Sequence, residues 1–346
     1  MHRLLRPLLA AGLLFGLQIQ ADGLPTATPI RREFIAESFP TPSNHASTVV
    51  EASDGSLQSA WFGGTAEGRL DVVIWHSRLE TNGWTRPTVV ARGEEDGDEP
   101  HPCWNPVLFQ LRNGPLVLFY KVGPKPWSWW GRYRLSFDHG RSWSPSQRIN
   151  GSMVGPVRNK PLELADGTLL CGSSDESSGW RVHIETVQGL GSIRPIWKRT
   201  DDLNYAIDFG AIQPTLIPWS AQRLQMLCRT RQRVITECWS SDAGKTWTEM
   251  RKTSLPNPNS AIDAVRLTNG KAVLIHNPNP DERTPLIASF SQDGTTWSPA
   301  VLLENEPGGE LSYPAVIQTS DGLIHVTYTW KREKIRHVVL DPAQFQ

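Results

Sequence analysis

Cysteine, long apolar runs and an excess of either charge are all scarce in this chain. Its 346 residues include four cysteines, Cys103, Cys171, Cys228 and Cys238. None lies in a C-x-x-C pair, so zinc-ligand spacing is missing and neither a metal nor another cofactor is expected. Cys228 and Cys238 flank an expected hairpin; a disulfide across it and two buried thiols are both open readings. Lys plus Arg and Asp plus Glu number 35 each. That balance excludes bulk attraction to nucleic acid or an anionic membrane, yet it allows a local basic pocket. The apolar run at residues 8–17 is too short to cross a bilayer. No amphipathic helical pattern exceeds three turns.

That run has a different use. His2, Arg3 and Arg6 precede it, and Ile19-Gln20-Ala21 offers a cleavage site. Residues 1–21 therefore read as a signal peptide, with an uncleaved anchor as the alternative. The mature chain, residues 22–346, is expected to be one domain, periplasmic or secreted, with no membrane attachment after cleavage. Oligomeric state is not readable from the sequence.

Tryptophan, glycine and proline are plentiful, at 15, 28 and 27 residues, as in an all-β domain with many turns. One turn motif occurs three times, as Ser136-Phe137-Asp138-His139-Gly140-Arg141-Ser142-Trp143, Ser241-Asp242-Ala243-Gly244-Lys245-Thr246-Trp247 and Ser291-Gln292-Asp293-Gly294-Thr295-Thr296-Trp297. Asp bonds local backbone N–H groups, Gly takes a positive φ, and Trp packs beneath. The turn glycines lie 104 and then 50 residues apart, a period that points to propeller blades.

A second repeat agrees. Asp54-Gly55, Asn113-Gly114, Asp166-Gly167, Asn269-Gly270 and Asp321-Gly322 interrupt apolar runs as hairpin turns do. The gap from Gly167 to Gly270 is 103 residues and admits one more turn, near Ser220-Ala221-Gln222-Arg223. The fold expected is a six-bladed β-propeller of four-stranded antiparallel sheets. Too few strands follow Gly322 to complete the last sheet, so residues 32–39 are expected to close the ring. The rungs of a β-helix are much shorter than this repeat.

Ligands of propellers sit at the channel mouth, where the innermost strands begin about ten residues before each turn glycine. That position holds Asn44 and His45, Trp104 and Asn105, Arg158, Asn159 and Lys160, Ile212 and Gln213, Ser260 and Asp263, and Ser312 and Tyr313. The set is far more polar than the strands it starts. Such groups need a ligand, or one another around a water-filled channel.

The turn motif is the Asp-box, or BNR repeat, and the chain resembles the sialidase superfamily of propellers. The resemblance implies that the Asp-boxes are structural and remote from chemistry. It also implies a substrate carboxylate held by arginines, a tyrosine nucleophile assisted by a glutamate, and an aspartate acid/base. Ser312-Tyr313-Pro314 matches the nucleophile segment, and Arg229 and Arg283 match two of the arginines. Paired arginines suit planar carboxylate recognition. Three positions depart: His45 stands for the first arginine, Gln213 in Gln213-Pro214-Thr215 for the glutamate, and no acid follows His45 in the usual context. Glu67 and Asp71 are nearest. Tyr313 needs a base or nearby cations, so proton transfer is assigned among His45, Asp263 and Glu67, with Glu310 a further acceptor for the tyrosine proton.

The expected function is a sialidase-like exo-glycoside hydrolase acting on a carboxylated sugar of a glycan. Lys160, Trp104, Asn105 and Gln213 join Arg229 and Arg283 as expected substrate contacts. Two alternatives stand: a non-catalytic glycan-binding propeller, and a polysaccharide lyase acting on uronates.

Overall fold

The protein is described by a computed structural model over residues 29–94, 99–205 and 207–344. The signal assigned to residues 1–21, and most of an acidic loop at 93–99, lie outside these. Six antiparallel sheets follow in chain order. Blade one comprises Ser43–Glu51, Leu57–Gly64, Val73–Glu80 and Thr88–Ala91, with the two-residue Gly83–Trp84 paired beside it. Blade two comprises Cys103–Gln110, Leu116–Val122, Trp130–Ser136 and Gln147–Arg148; blade three, Leu162–Glu163, Leu169–Asp175, Arg181–Gln188 and Ile196–Arg199. Blade four comprises Ala211–Pro218, Leu224–Thr230, Val234–Ser240 and Arg251–Pro256; blade five, Asp263–Arg266, Ala272–His276, Leu286–Ser291 and Ser298–Glu304. Blade six comprises Leu311–Gln318, Ile324–Trp330 and Lys334–Leu340, and its outer strand is Arg31–Phe34 from the other end of the chain. The fold is a six-bladed propeller. Its closing strand is shorter than expected and starts one residue earlier.

The turn chemistry explains the blade spacing. Asp54, Asp166, Asn269 and Asp321 each accept a bond from the backbone N–H two residues on. Gly55, Gly167, Gly270 and Gly322 supply the positive φ that these turns require. In blade four, which has no such glycine, Trp219 and Ser220 N–H both donate to the Arg223 carbonyl.

The apolar core is divided among the gaps between blades. Ala60, Phe62 and Ile74 of blade one meet Leu108, Leu118 and Tyr120 of blade two. Corresponding clusters join blades two and three, three and four, four and five, and five and six. Val49 and Leu57 against Ala315 and Ile317 complete the ring between blades one and six. No blade buries its faces alone, so the blades stabilise one another. All four cysteines are buried free thiols. Cys238 stands opposite Met226 and Cys228 opposite Thr236, so the two do not face each other across the hairpin.

Each Asp-box joins a third strand to a fourth, the propeller end opposite to where the first strands begin. Asp242 accepts from Thr246 N–H at 2.9 Å, Thr246 Oγ1 at 2.6 Å and Ser240 Oγ at 2.8 Å. Asp138 and Asp293 repeat the pattern. The boxes also fasten blades together: Gln58 of blade one donates to the His139 carbonyl of blade two, and Gln225 of blade four to the Gly294 carbonyl of blade five. Asp293→Ala is expected to cost about 0.5–2 kcal/mol in a urea melt through its lost turn bonds, with ligand affinity unchanged. Affinity lost in a folded variant would contradict this remote placement.

Ring closure carries a relay of one half-buried carboxylate and two buried histidines. Glu33 pairs in register with His337. His337 Nδ1 contacts Glu33 Oε1 at 3.0 Å, and its Nε2 contacts His325 Nδ1 at 3.0 Å. Burial outweighs the Glu33 charge and lowers the His337 pKa. Burial likewise lowers His325 and His276 to about 4 and His76 to about 3. A histidine held neutral in the fold still takes a proton when unfolded, near pH 6.5. Stability therefore falls as pH drops from 7 to 5. The Asp-box carboxylates, held low by their turn bonds, add a loss only below about pH 4. A lower Tm at pH 5 than at pH 7 is expected in calorimetry; an equal or higher Tm would show that these histidines protonate within the fold.

Candidate active site

Four inner strands break register at one place. The pairing shifts between His45 and Thr48, Trp104 and Val107, Ile212 and Thr215, and Ser312 and Ala315. Inside these bulges Ala46, Asn105, Gln213 and Tyr313 have φ of 55°, 34°, 56° and 52°. A side chain at positive φ costs on the order of 1 kcal/mol or more, and it persists where the surroundings enforce it. Bulges re-aim side chains. Pro follows Asn105, Gln213 and Tyr313, and proline within a sheet favours a bulge.

Tyr313 occupies the blade-six bulge, half-buried. Arg229 Nη1 donates to its phenolic oxygen at 3.0 Å and to Gln213 Oε1 at 3.1 Å. Arg229 Nε donates to Asn259 Oδ1 at 2.9 Å. The guanidiniums of Arg158, Arg229 and Arg283 lie 5.4, 5.7 and 5.9 Å from the centre of the Tyr313 ring. The His45 ring lies 4.1 Å from it. One side chain from each of blades one, three, four and five thus gathers around a blade-six tyrosine.

The charges here are unevenly satisfied. Glu310 binds Arg283 and Arg332, at 2.8 Å each, and accepts from Ser312 Oγ. Glu67 also binds Arg332, which holds it in an ion pair. Asp263 accepts from Thr215 Oγ1, Ala264 N–H and Val316 N–H, and meets Lys160 Nζ at 3.5 Å. Arg158 and Arg229 have no salt bridge to a described carboxylate, and they are 3% and 5% exposed. Arg158 Nη1 donates to Asn159 Oδ1 at 2.7 Å, but its Nε and Nη2 are buried without a partner. Burial lowers the Arg158 pKa to about 10, so it stays cationic at neutral pH. Fully buried His45 has both ring nitrogens unpartnered. Burial, then the field of Arg332, Arg283, Arg158 and Arg229, drives its pKa well below the ordinary range. His45 is a neutral, weakly basic imidazole.

The other expected contacts divide. Gln213 touches Arg229, and Lys160 touches Asp263. Trp104 is buried, with its N–H on the Gly123 carbonyl and its ring against Phe62 and Trp129. The Asn105 carbonyl accepts from Lys121 Nζ at 3.4 Å. A cavity of about 690 Å³ lies elsewhere, lined by Arg223, Trp239, Thr248 and Arg251 at the edge of blade four. Convergent chemistry, not volume, marks the mouth. Among the described residues no cluster of three His, Cys, Asp or Glu could hold a metal, and no helix is long and apolar enough to cross a membrane.

Residues 55–326 match the BNR repeat-like domain. The chain belongs to that family, within the sialidase superfamily of β-propellers. This BNR propeller is 25% identical over 297 residues to a sialidase of Micromonospora viridifaciens, covering 77% of this chain and 44% of that protein. It thus spans less than half the length of that relative. The Hadza microbial sialidase Hz136 superposes with a TM-score of 0.75 at 16% identity, covering 88% of this chain and 67% of that one. The NanB sialidase from Streptococcus pneumoniae superposes with a TM-score of 0.73 at 11% identity, covering 93% and 72%. These likenesses to solved structures show the fold.

Sequence reasoning placed Arg158 at the mouth of the BNR propeller but gave it no role. The signal was its spacing: it stands nine residues before Gly167, as Tyr313 does before Gly322. An isolated cation buried with unpartnered nitrogens destabilises a fold. Arg158→Met is expected to raise stability by about 1 kcal/mol or more while weakening any anionic ligand of the mouth. Calorimetry and titration check both halves; a destabilised variant with unchanged affinity would make Arg158 a structural residue.

Proposed function

We propose that this chain is an exported exo-glycoside hydrolase that removes a carboxylated sugar from the end of a glycan. One observation carries the reading. Two buried guanidiniums without described carboxylate partners, Arg158 and Arg229, lie against Tyr313, and Arg229 donates to its hydroxyl at 3.0 Å. Such an array calls for an anion. A planar carboxylate suits it, because a guanidinium fork donates two parallel bonds. Arg283 joins from blade five, with one face of its charge already met by Glu310.

In this reading the carboxylate anchors the sugar ring over Tyr313. The phenolic oxygen attacks the anomeric carbon or stabilises its developing positive charge. The surrounding guanidiniums offset negative charge on that oxygen. They do not take its proton, and neither does neutral Gln213, so in the nucleophilic branch the phenolic proton passes to water. His45 is too weakly basic for the task, and Asp263 is committed to four donors. The sialidase relative supports glycoside hydrolysis; sialic acid, a uronate or another 2-keto acid sugar would fit the carboxylate site. Export rests on residues 1–21 and belongs to the same proposal.

Gln213 favours a second reading, a propeller that binds acidic glycans without turning them over. 4-Methylumbelliferyl glycosides of sialic acid and of uronic acids separate the two. Turnover of one of them is expected. Arg229→Lys should then raise KM roughly tenfold or more, since a point charge cannot copy the fork. Tyr313→Phe should lower kcat on the order of 10³-fold or more with binding nearly intact. Binding without turnover by the unaltered protein would put the binding module first. Products absorbing as unsaturated uronates would instead identify a lyase.

A further inference from the structure

We infer that Asn159, Gln213 and Asn259 are positioning residues that aim Arg158 and Arg229 at a ligand anion without neutralising them; the inference rests on the carboxylate site proposed above. Two classes of arginine meet at the mouth. Arg283 and Arg332 are held by carboxylates, Glu310 pairing with both and Glu67 with Arg332. Arg158 and Arg229 have no salt bridge to a described carboxylate, and neutral oxygens hold them instead. Arg229 Nη1 donates to Gln213 Oε1 at 3.1 Å, and its Nε donates to Asn259 Oδ1 at 2.9 Å. Arg158 Nη1 donates to Asn159 Oδ1 at 2.7 Å.

The three amides form one support. A guanidinium donates and never accepts, so each amide turns its oxygen to the arginine and its NH₂ elsewhere. Asn159 Nδ2 donates to the Gln213 carbonyl at 3.1 Å. The residue that holds Arg158 is thereby tied to one that holds Arg229. Asn259 also accepts from Arg283 Nη2 at 3.2 Å through its own carbonyl. It therefore sets the spacing of Arg229 against Arg283. Asn159 and Gln213 are each 2% exposed, so neither is swung about by solvent. Both amides on Arg229, Gln213 and Asn259, stand at φ 56°. Asparagine tolerates that conformation, whereas glutamine rarely adopts it. The strain at Gln213 persists because its surroundings enforce it.

The choice of amide has an electrostatic consequence. Asn and Asp, or Gln and Glu, place an oxygen at the same point and differ in charge. A carboxylate at any of these positions would make the same bond, shorter and stronger. It would also neutralise a buried guanidinium. The mouth uses the weaker acceptor at all three positions. Direction comes from the amides, and the missing charge is left for the ligand's carboxylate to supply. A neutral sugar of the same shape brings no such charge. Gln213 thus has a role that a glutamate could not fill.

Asn159→Asp, Gln213→Glu and Asn259→Asp keep the side-chain shape and add the charge. Each variant and the unaltered protein are titrated by calorimetry with N-acetylneuraminic acid and with glucuronic acid, and each is melted without ligand. Affinity for the acid that the unaltered protein binds is expected to fall about tenfold or more in each variant. Tm is expected to rise, because the new carboxylate meets a buried cation that had none. A residue that serves only the fold would move Tm and leave affinity alone. Retained affinity, a Tm that falls with affinity, or a variant that does not fold would overturn the assignment of that residue and leave the hydrolase reading standing. Binding of neither acid by the unaltered protein would remove the carboxylate site and this inference with it.

Discussion

A ring of sheets needs its last gap filled, and here the two ends of the chain fill it. Arg31–Phe34 pairs with Lys334–Leu340, placing a strand from before blade one at the outside of blade six. Every other gap between blades is packed by neighbours in sequence. Only this one is closed by chain segments some three hundred residues apart. The pairing satisfies an edge that would otherwise stay open. It also sets half-buried Glu33 against the buried His337 and His325 in a chain of contacts. The closure holds Leu311–Gln318 beside blade one, and that strand carries Tyr313. The site thus depends on a contact at the opposite, outer edge of the same sheet.

The channel mouth is where the fold departs from its own regularity. Turns and Asp-boxes repeat with the same bonds from blade to blade. Inner strands instead bulge at Ala46, Asn105, Gln213 and Tyr313, and each bulge holds a residue at positive φ. Those distortions lie beside the buried polar groups His45, Arg158, Gln213 and Arg229. Charges there act at short range through a low dielectric. Burial, with the field of four arginines added to it, keeps His45 neutral. Two arginines there remain without a carboxylate partner among the described residues, even though the chain as a whole is neutral.

Much of the fold was legible in the sequence because its signals are local. An Asp two residues before a bonded N–H, and a Gly at positive φ, need only their neighbours to form a turn. Counting those turns yields six blades. The blade-four turn lacked a glycine, yet the spacing around it left room for Ser220–Arg223 to serve. Arg229, Arg283 and Tyr313 were legible through resemblance, and the structure brings them together. Arg158 had the right spacing and was passed over, because spacing shows where a side chain starts and not whether a partner meets it. Trp104 was read as a sugar contact; its indole is spent on Gly123 and on neighbouring rings.

The sequence by itself determined the repeat, the turn at each blade and the polar set that begins each inner strand, since these follow from bonds within a few residues. Tertiary structure alone decided which charges are paired. Glu310 and Glu67 reach Arg332 only because blades one, five and six meet at the mouth. The same meeting leaves Arg158 and Arg229 buried without a salt bridge to a described carboxylate. Charge pairing depends on distance and burial between residues far apart in the chain, and those quantities exist only once the ring has closed.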